Sequence, residues 1–210
     1  MDFLGLLEKE HQDSTEFCFL QVGANDGVKF DELHGFVTAN RCRGVVVEPL
    51  KFYFSSLEKN YADHPDITPL NCAVHASESR AKIYHVDPAK IESMPEWAPG
   101  IGSLDPEHHH KSNTPSEFII AEEVECMHLM EIIKKHNLQQ LNLLQVDVEG
   151  YDGEVIRMID FDRIQPRIIK YEHMNLPAVE QKGVTRLLKS NDYSIQQLES
   201  DTLAILEKSD

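Results

Sequence analysis

Phe17-Cys18-Phe19-Leu20-Gln21-Val22 is a run of six residues without a charge, and it ends on Gly23-Ala24-Asn25-Asp26-Gly27. An apolar run of that length, closed by glycine, reads as a strand buried on both faces of a sheet. Such a strand needs a layer of helices above and below it. The rest of the chain answers that need, because short apolar runs alternate with helix-like segments from end to end. This pattern argues for βαβ units and a mainly parallel sheet.

The alternation can be followed along the chain. A short amphipathic helix is expected at about 2–12, within an N-terminal segment 1–16, and a helical segment from Gly27 to about Ala39. Gly44-Val45-Val46-Val47-Glu48 is a β-branched second strand stopped by Pro49. A helix over about 50–62 follows, then a strand from Ile67 to Val74 and a β segment from Ala81 to Val86. Between Asp87 and Ser116 lie five prolines, two glycines and the run His108-His109-His110. An irregular stretch of that length is read as an active-site lid or substrate loop. Phe118–Cys126 is again extended, a helix covers about 127–137, and Leu141–Asp147 is a buried strand leading to a helix near Asp152. Arg167–Glu172 is a strand, 178–190 a helix, and Tyr193–Leu198 with Thr202–Leu206 an antiparallel hairpin. No repeat or linker divides the 210 residues, so a single domain over 1–210 is expected.

Composition limits the partners. Thirty-six acids against 20 bases leave a formal charge of −16, which repels phosphate backbones and anionic lipid surfaces. Nucleic acid and membrane are therefore excluded as expected partners; the oligomeric state is left open. Cys18, Cys42, Cys72 and Cys126 are far apart, with no metal-finger spacing. With no basic leader and no apolar run near 20 residues, the expectation is a soluble cytoplasmic protein with reduced thiols.

The glycine turn is the first chemical signal. Glycines let a ligand approach the backbone closely, Asn25 tolerates positive φ, and a helix starting after the turn would aim its positive end at a ligand. Glu48 ends the second strand 25 residues after Gly23, where an acid grips ribose hydroxyls in nucleoside-binding α/β folds. The turn lacks the second glycine of G-x-G-x-x-G, which admits a pyrophosphate. With the terminal hairpin and the acid Asp26, that favours a nucleoside cofactor without phosphates, S-adenosylmethionine, whose sulfonium and amine suit acidic surroundings. A NAD-dependent oxidoreductase and a non-catalytic nucleoside-binding domain are the alternatives.

The residues Val22-Gly23-Ala24-Asn25-Asp26-Gly27, Val47-Glu48-Pro49, Ile101-Gly102-Ser103-Leu104 and Val146-Asp147-Val148-Glu149-Gly150-Tyr151 resemble the FkbM family of methyltransferases. The resemblance covers about residues 17–175. It implies a Rossmann-like class I methyltransferase fold with a mostly parallel seven-stranded sheet, adenosylmethionine as donor, and O-methylation of a hydroxyl on a sugar or polyketide-like metabolite. By that resemblance Gly23, Ala24, Asn25, Asp26 and Gly27 face the methionine part, Glu48 beside Pro49 the ribose, and Cys72 with Ala73 the adenine edge. Ser103 would close over the donor or acceptor, and Asp147 would also touch the donor. The family has Asp where this chain has Gln21, so a carboxylate near the donor's amine is missing.

Catalysis is expected at Asp147, Glu149 and His173, which the strand ends would bring to one crevice. Methyl transfer needs alignment and a base for the acceptor proton; His173 has the better intrinsic pKa, and Asp147 would need raising. The alternative for Asp147, Glu149 and His173 is a hard divalent cation, not favoured over the base. His108-His109-His110 lacks ligand spacing and is read as a loop element outside the catalytic set.

Overall fold

The computed structural model describes residues 2–29 and 31–207. In chain order the elements are α1 (Phe3–Asp13), β1 (Cys18–Val22), α2 (Leu33–Ala39), β2 (Arg43–Val47), α3 (Lys51–Asn60), β3 (Ile67–Leu70), β4 (Ala73–Val74) and β5 (Arg80–Val86). There follow β6 (Gly102–Ser103), β7 (Ile119–Met127), α4 (Leu129–Lys135), β8 (Leu143–Val146), α5 (Asp152–Arg157), β9 (Ile168–Glu172), α6 (Ala178–Lys189), β10 (Tyr193–Gln197) and β11 (Asp201–Leu206).

Seven strands form the main sheet in the order β10-β11-β9-β8-β1-β2-β3. The five from β9 to β3 are parallel, while β11 runs antiparallel to both β9 and β10. This is the expected Rossmann-like α/β fold with a mostly parallel sheet and a terminal hairpin.

β1 is central and all five of its residues are buried. Cys18, Leu20 and Val22 join the core under α4, α5 and α6, and Phe17 and Phe19 join the core under α1, α2 and α3. The two-residue period of a strand thus divides one apolar run between two layers. A fully buried leucine such as Leu20 stabilises by about 1.5–3 kcal/mol. At the amino ends of β1 and β8, the Asn142 side chain accepts from Cys18 N–H (2.8 Å) and donates to Glu10 (3.0 Å) and Ser14 (2.7 Å), which fastens the end of α1 to these strands.

Three local expectations need correction. The segment from Ile67 to Val74 is two strands, because Asn71 turns in and donates to the carbonyls of Glu48 and Pro49, both at 2.9 Å. β4 then belongs to a second sheet, β4-β7-β5-β6, whose long β5–β7 ladder pairs Arg80–Val86 with Ile119–Glu125. Helix α2 starts only at Leu33, since Asp26 Oδ1 accepts from Val28 N–H (3.0 Å) and Lys29 N–H (2.8 Å) and holds the chain in a turn. The residues between β5 and β7 carry β6 and four 3-10 turns, at Pro88–Ser93, Ala98–Gly100, His108–Ser112 and Ser116–Phe118.

Candidate active site

A cleft of about 1020 Å³, its open mouth included, lies over the carboxyl ends of β1, β2 and β8. Its floor is the turn after β1. Gly23 has φ +82°, and a Cβ there would stand 1.8 Å from the carbonyl oxygen of Asp147. Only glycine lets the two strand ends come this close. Gly23 and Ala24 both donate to the carbonyl of Val47, at 3.0 and 2.9 Å, so the turn is fixed to β2 as well. Asn25 holds φ +51°, a conformation its side chain tolerates.

Glu48, 5% exposed, joins these elements. One carboxylate oxygen accepts from Asn25 N–H at 3.0 Å and the other from Leu50 N–H at 2.8 Å. Burial pushes its pKa up to about 7 against the pull of both bonds. A carboxylate has about four acceptor sites, so two N–H groups leave capacity for further donors. Pro49 lines the cleft beside it, and Leu50, Tyr53, Cys72, Ala73, Val74 and Ile83 form an apolar wall. Burial raises the Cys72 thiol to about 12, so it stays neutral and acts as a small apolar group.

Gln21, Gly23, Ala24, Asn25, Glu48, Pro49, Cys72, Ala73, Asp147 and Glu149 all line this cleft. Asp26, Gly27, Ser103 and His173 are not in its lining. Asp26 is spent on its own turn, and Gly27 packs where a Cβ would meet Leu57 and Tyr61. Ser103 is 3% exposed and donates to the carbonyl of Glu149 at 2.8 Å, while its neighbours Gly102 and Leu104 reach the cleft. His173 is turned to Thr202, with Nδ1 and Oγ1 3.1 Å apart. The positive helix end expected after the turn is also missing, because α2 begins six residues beyond Gly27.

The far side of the cleft is acidic. Asp147 lines it and is exposed there. Desolvation of its carboxyl, and then the nearby Glu172, Glu149, Asp152 and Asp201, raise it above the ordinary range. Glu149, at φ +52°, accepts from Asn175 Nδ2 (2.7 Å) and lies 2.9 Å from His108 Nε2, all on Oε2. The same Asn175 amide also donates to Glu172 at 2.7 Å, and burial with Glu149 nearby raises Glu172 to about 8.

The sequence reading missed His108 and Asn175. The histidine run was the only visible signal for the first, and its partner is 41 residues away. Among the described residues no group of three or more His, Cys, Asp or Glu can hold a metal ion, so the alternative cation set Asp147, Glu149 and His173 is not assembled. Nor is any helix among them long and apolar enough to cross a membrane.

Comparison with known structures agrees with this fold. The methyltransferase domain of METTL16 superposes with a TM-score of 0.52 at 10% identity, over 97% of this chain and 65% of that one. A second crystal form of that domain gives 0.50 at 9% identity, with the same coverage. The human methyltransferase 10 domain containing protein gives 0.49 at 12% identity, over 97% and 78%. The two METTL16 likenesses speak for the fold alone. No curated protein sequence matches the chain. The Methyltransferase FkbM domain, by contrast, matches residues 21–195, from the end of β1 into β10. That span takes in the glycine turn, Glu48 and the Asp147–Tyr151 turn, and the chain belongs to the FkbM family of methyltransferases.

Proposed function

We propose that the cleft binds S-adenosylmethionine and that the protein transfers its methyl group to a hydroxyl oxygen of a small metabolite, such as a sugar or a polyketide-like compound. The observation that carries this reading is the junction of Gly23, Glu48 and Asp147 over one cleft. A backbone stripped of Cβ lies beside a buried carboxylate that retains acceptor capacity and an apolar wall next to it. A nucleoside fits that order of chemistry: the purine on the apolar wall, the ribose hydroxyls donating to Glu48. Gly23–Asn25 then face the methionine part.

The bound donor would supply a methyl group on a sulfonium, activated for in-line displacement. The protein's part is to align the acceptor and to take its proton. The base is assigned to Asp147 rather than His173, because Asp147 opens onto the cleft whereas His173 lies outside its lining and is turned to Thr202. The Asp147 carboxylate would accept the proton of the acceptor hydroxyl as its oxygen takes the methyl group. Glu149 keeps its orientation through His108 and Asn175 and accepts from an acceptor hydroxyl. The charge of −16 favours a small acceptor over a nucleic acid, and a cytoplasmic setting suits the four free cysteines.

Isothermal titration calorimetry tests the reading. S-adenosylhomocysteine should bind and NAD should not; binding of NAD alone would favour a dehydrogenase. Mass-spectrometric screening of hydroxylated metabolites with the donor should then reveal a product heavier by one CH2 unit.

A further inference from the structure

The amino-acid end of such a donor carries an ammonium and a carboxylate, and the strand carboxylate usual in the family is replaced here by Gln21. The structure offers a substitute nearby. Gln21 is 2% exposed at the wall of the cleft, and its Oε1 has no hydrogen-bond partner. Asp31 lines the same cleft ten residues later, in the stretch between the glycine turn and α2. Its Oδ1 accepts from Leu33 N–H at 2.8 Å, while its buried Oδ2 makes no hydrogen bond of good geometry, although the Gln21 amide faces the carboxylate. Gln145, beside Gln21 in the sheet, also lines the cleft with an unpaired Oε1; buried acceptors are normally satisfied, so three unpaired ones at the wall of one cleft call for a donor from outside the protein. Lys29, exposed and two residues before Asp31, is the one lysine or arginine among the residues that line the cleft.

We propose, on the basis of the donor reading above, that Asp31 takes the place of the missing strand carboxylate. Asp31 Oδ2 and Gln21 Oε1 accept from the donor's α-ammonium, and Lys29 Nζ pairs with its α-carboxylate. The two opposite charges are two residues apart in the chain, and Asp26 Oδ1 fixes the Lys29 end through the N–H groups of Val28 and Lys29. The electrostatics agree. Burial raises the Asp31 carboxyl, partly offset by Leu33 N–H, the Gln21 amide, His34 and Lys170, so an incoming cation restores its charged form. This exchange between a strand residue and a loop residue lets the chain keep a carboxylate at the ammonium without the family's strand Asp.

Two ligands separate this assignment from damage to the fold. S-adenosylhomocysteine carries the amino-acid end; 5′-methylthioadenosine keeps the nucleoside and lacks that end. By calorimetry, Asp31→Asn should weaken the first by about 10- to 100-fold, the loss of one charge-assisted bond. Its effect on the second should stay within about twofold. Lys29→Gln should weaken only the first, by about 2- to 5-fold, as befits an exposed pair. Adding Gln21→Asp to Asp31→Asn should recover most of the lost affinity, which a merely structural role would not produce. Equal weakening of both ligands in Asp31→Asn, or no change in either, overturns the assignment. Wild-type protein that binds neither ligand would instead overturn the donor reading on which it rests.

Discussion

Replacing Gly23 by alanine is the sharpest test of the strand junction under the cleft. The added Cβ would stand 1.8 Å from the Asp147 carbonyl oxygen and 2.8 Å from its carbon. Both obstacles are backbone, so no side-chain rotation relieves them. The ends of β1 and β8 must part by about 1.2 Å to bring the nearer contact to the 3.0 Å limit for Cβ atoms. That movement breaks the 2.9 Å bond from Asp147 N–H to the Val22 carbonyl, worth roughly 0.5–1.5 kcal/mol. Overpacking adds about 1–3 kcal/mol, and a left-handed φ for a residue with Cβ about 1–2 kcal/mol more. The expected loss is roughly 2.5–6.5 kcal/mol, a fall in Tm of roughly 5–26 °C for a chain of this size. Urea or thermal denaturation followed by circular dichroism measures it. Gly35→Ala is the control, because a Cβ there meets nothing within 4 Å. Lying inside α2, it should gain about 0.5–1 kcal/mol. A Gly23→Ala protein as stable as wild type would refute the argument that this junction requires glycine.

Other consequences follow from the same geometry. Glu48→Ala should reduce affinity for S-adenosylhomocysteine by about 1–3 kcal/mol in calorimetry, and unchanged affinity would reject the ribose assignment. Asp147→Asn should lower turnover by about 10²–10⁴-fold while S-adenosylhomocysteine affinity falls less than about tenfold, whereas His173→Ala should keep turnover within about twofold. The reverse pattern would return the base to His173. Stability should also depend on pH. Glu172 at about 8, with Asp152 and Glu48 at about 7, bind protons in the folded state that the unfolded chain releases at ordinary carboxylate values. Their contribution is present at low pH and is lost as pH rises through the folded values. Between pH 6.5 and 8, above the range where the lowered His85 and His136 act, Tm should therefore fall as pH rises. The slope is at most about 1.4 kcal/mol per pH unit for each group, and Glu172→Gln should flatten it. A Tm flat or rising over that window would count against the buried protons.

Much of this protein is legible without a structure, and the reason is locality. The run Phe17–Val22 must be buried on both faces, since no charge interrupts it, and it became the central strand. Gly23 and Glu48 end neighbouring parallel strands, so the distance along the chain translates directly into a shared crevice. Asp147 follows by the same rule, one strand to the other side.

What required the tertiary structure is what depends on distant or competing contacts. Asn71 splits an apparently continuous strand because it finds carbonyls at the end of β2. Asp26 delays α2 by capping the turn itself, and that leaves Asp31 at the cleft wall. His108 meets Glu149 across 41 residues, and Asn175 joins Glu149 to Glu172, because the excursion between β5 and β7 folds back over the strand ends. Side-chain periodicity carries no record of such a return. A chain specifies its strands and turns through neighbours a few residues apart, while the partners of its buried charges are settled only when the layers close.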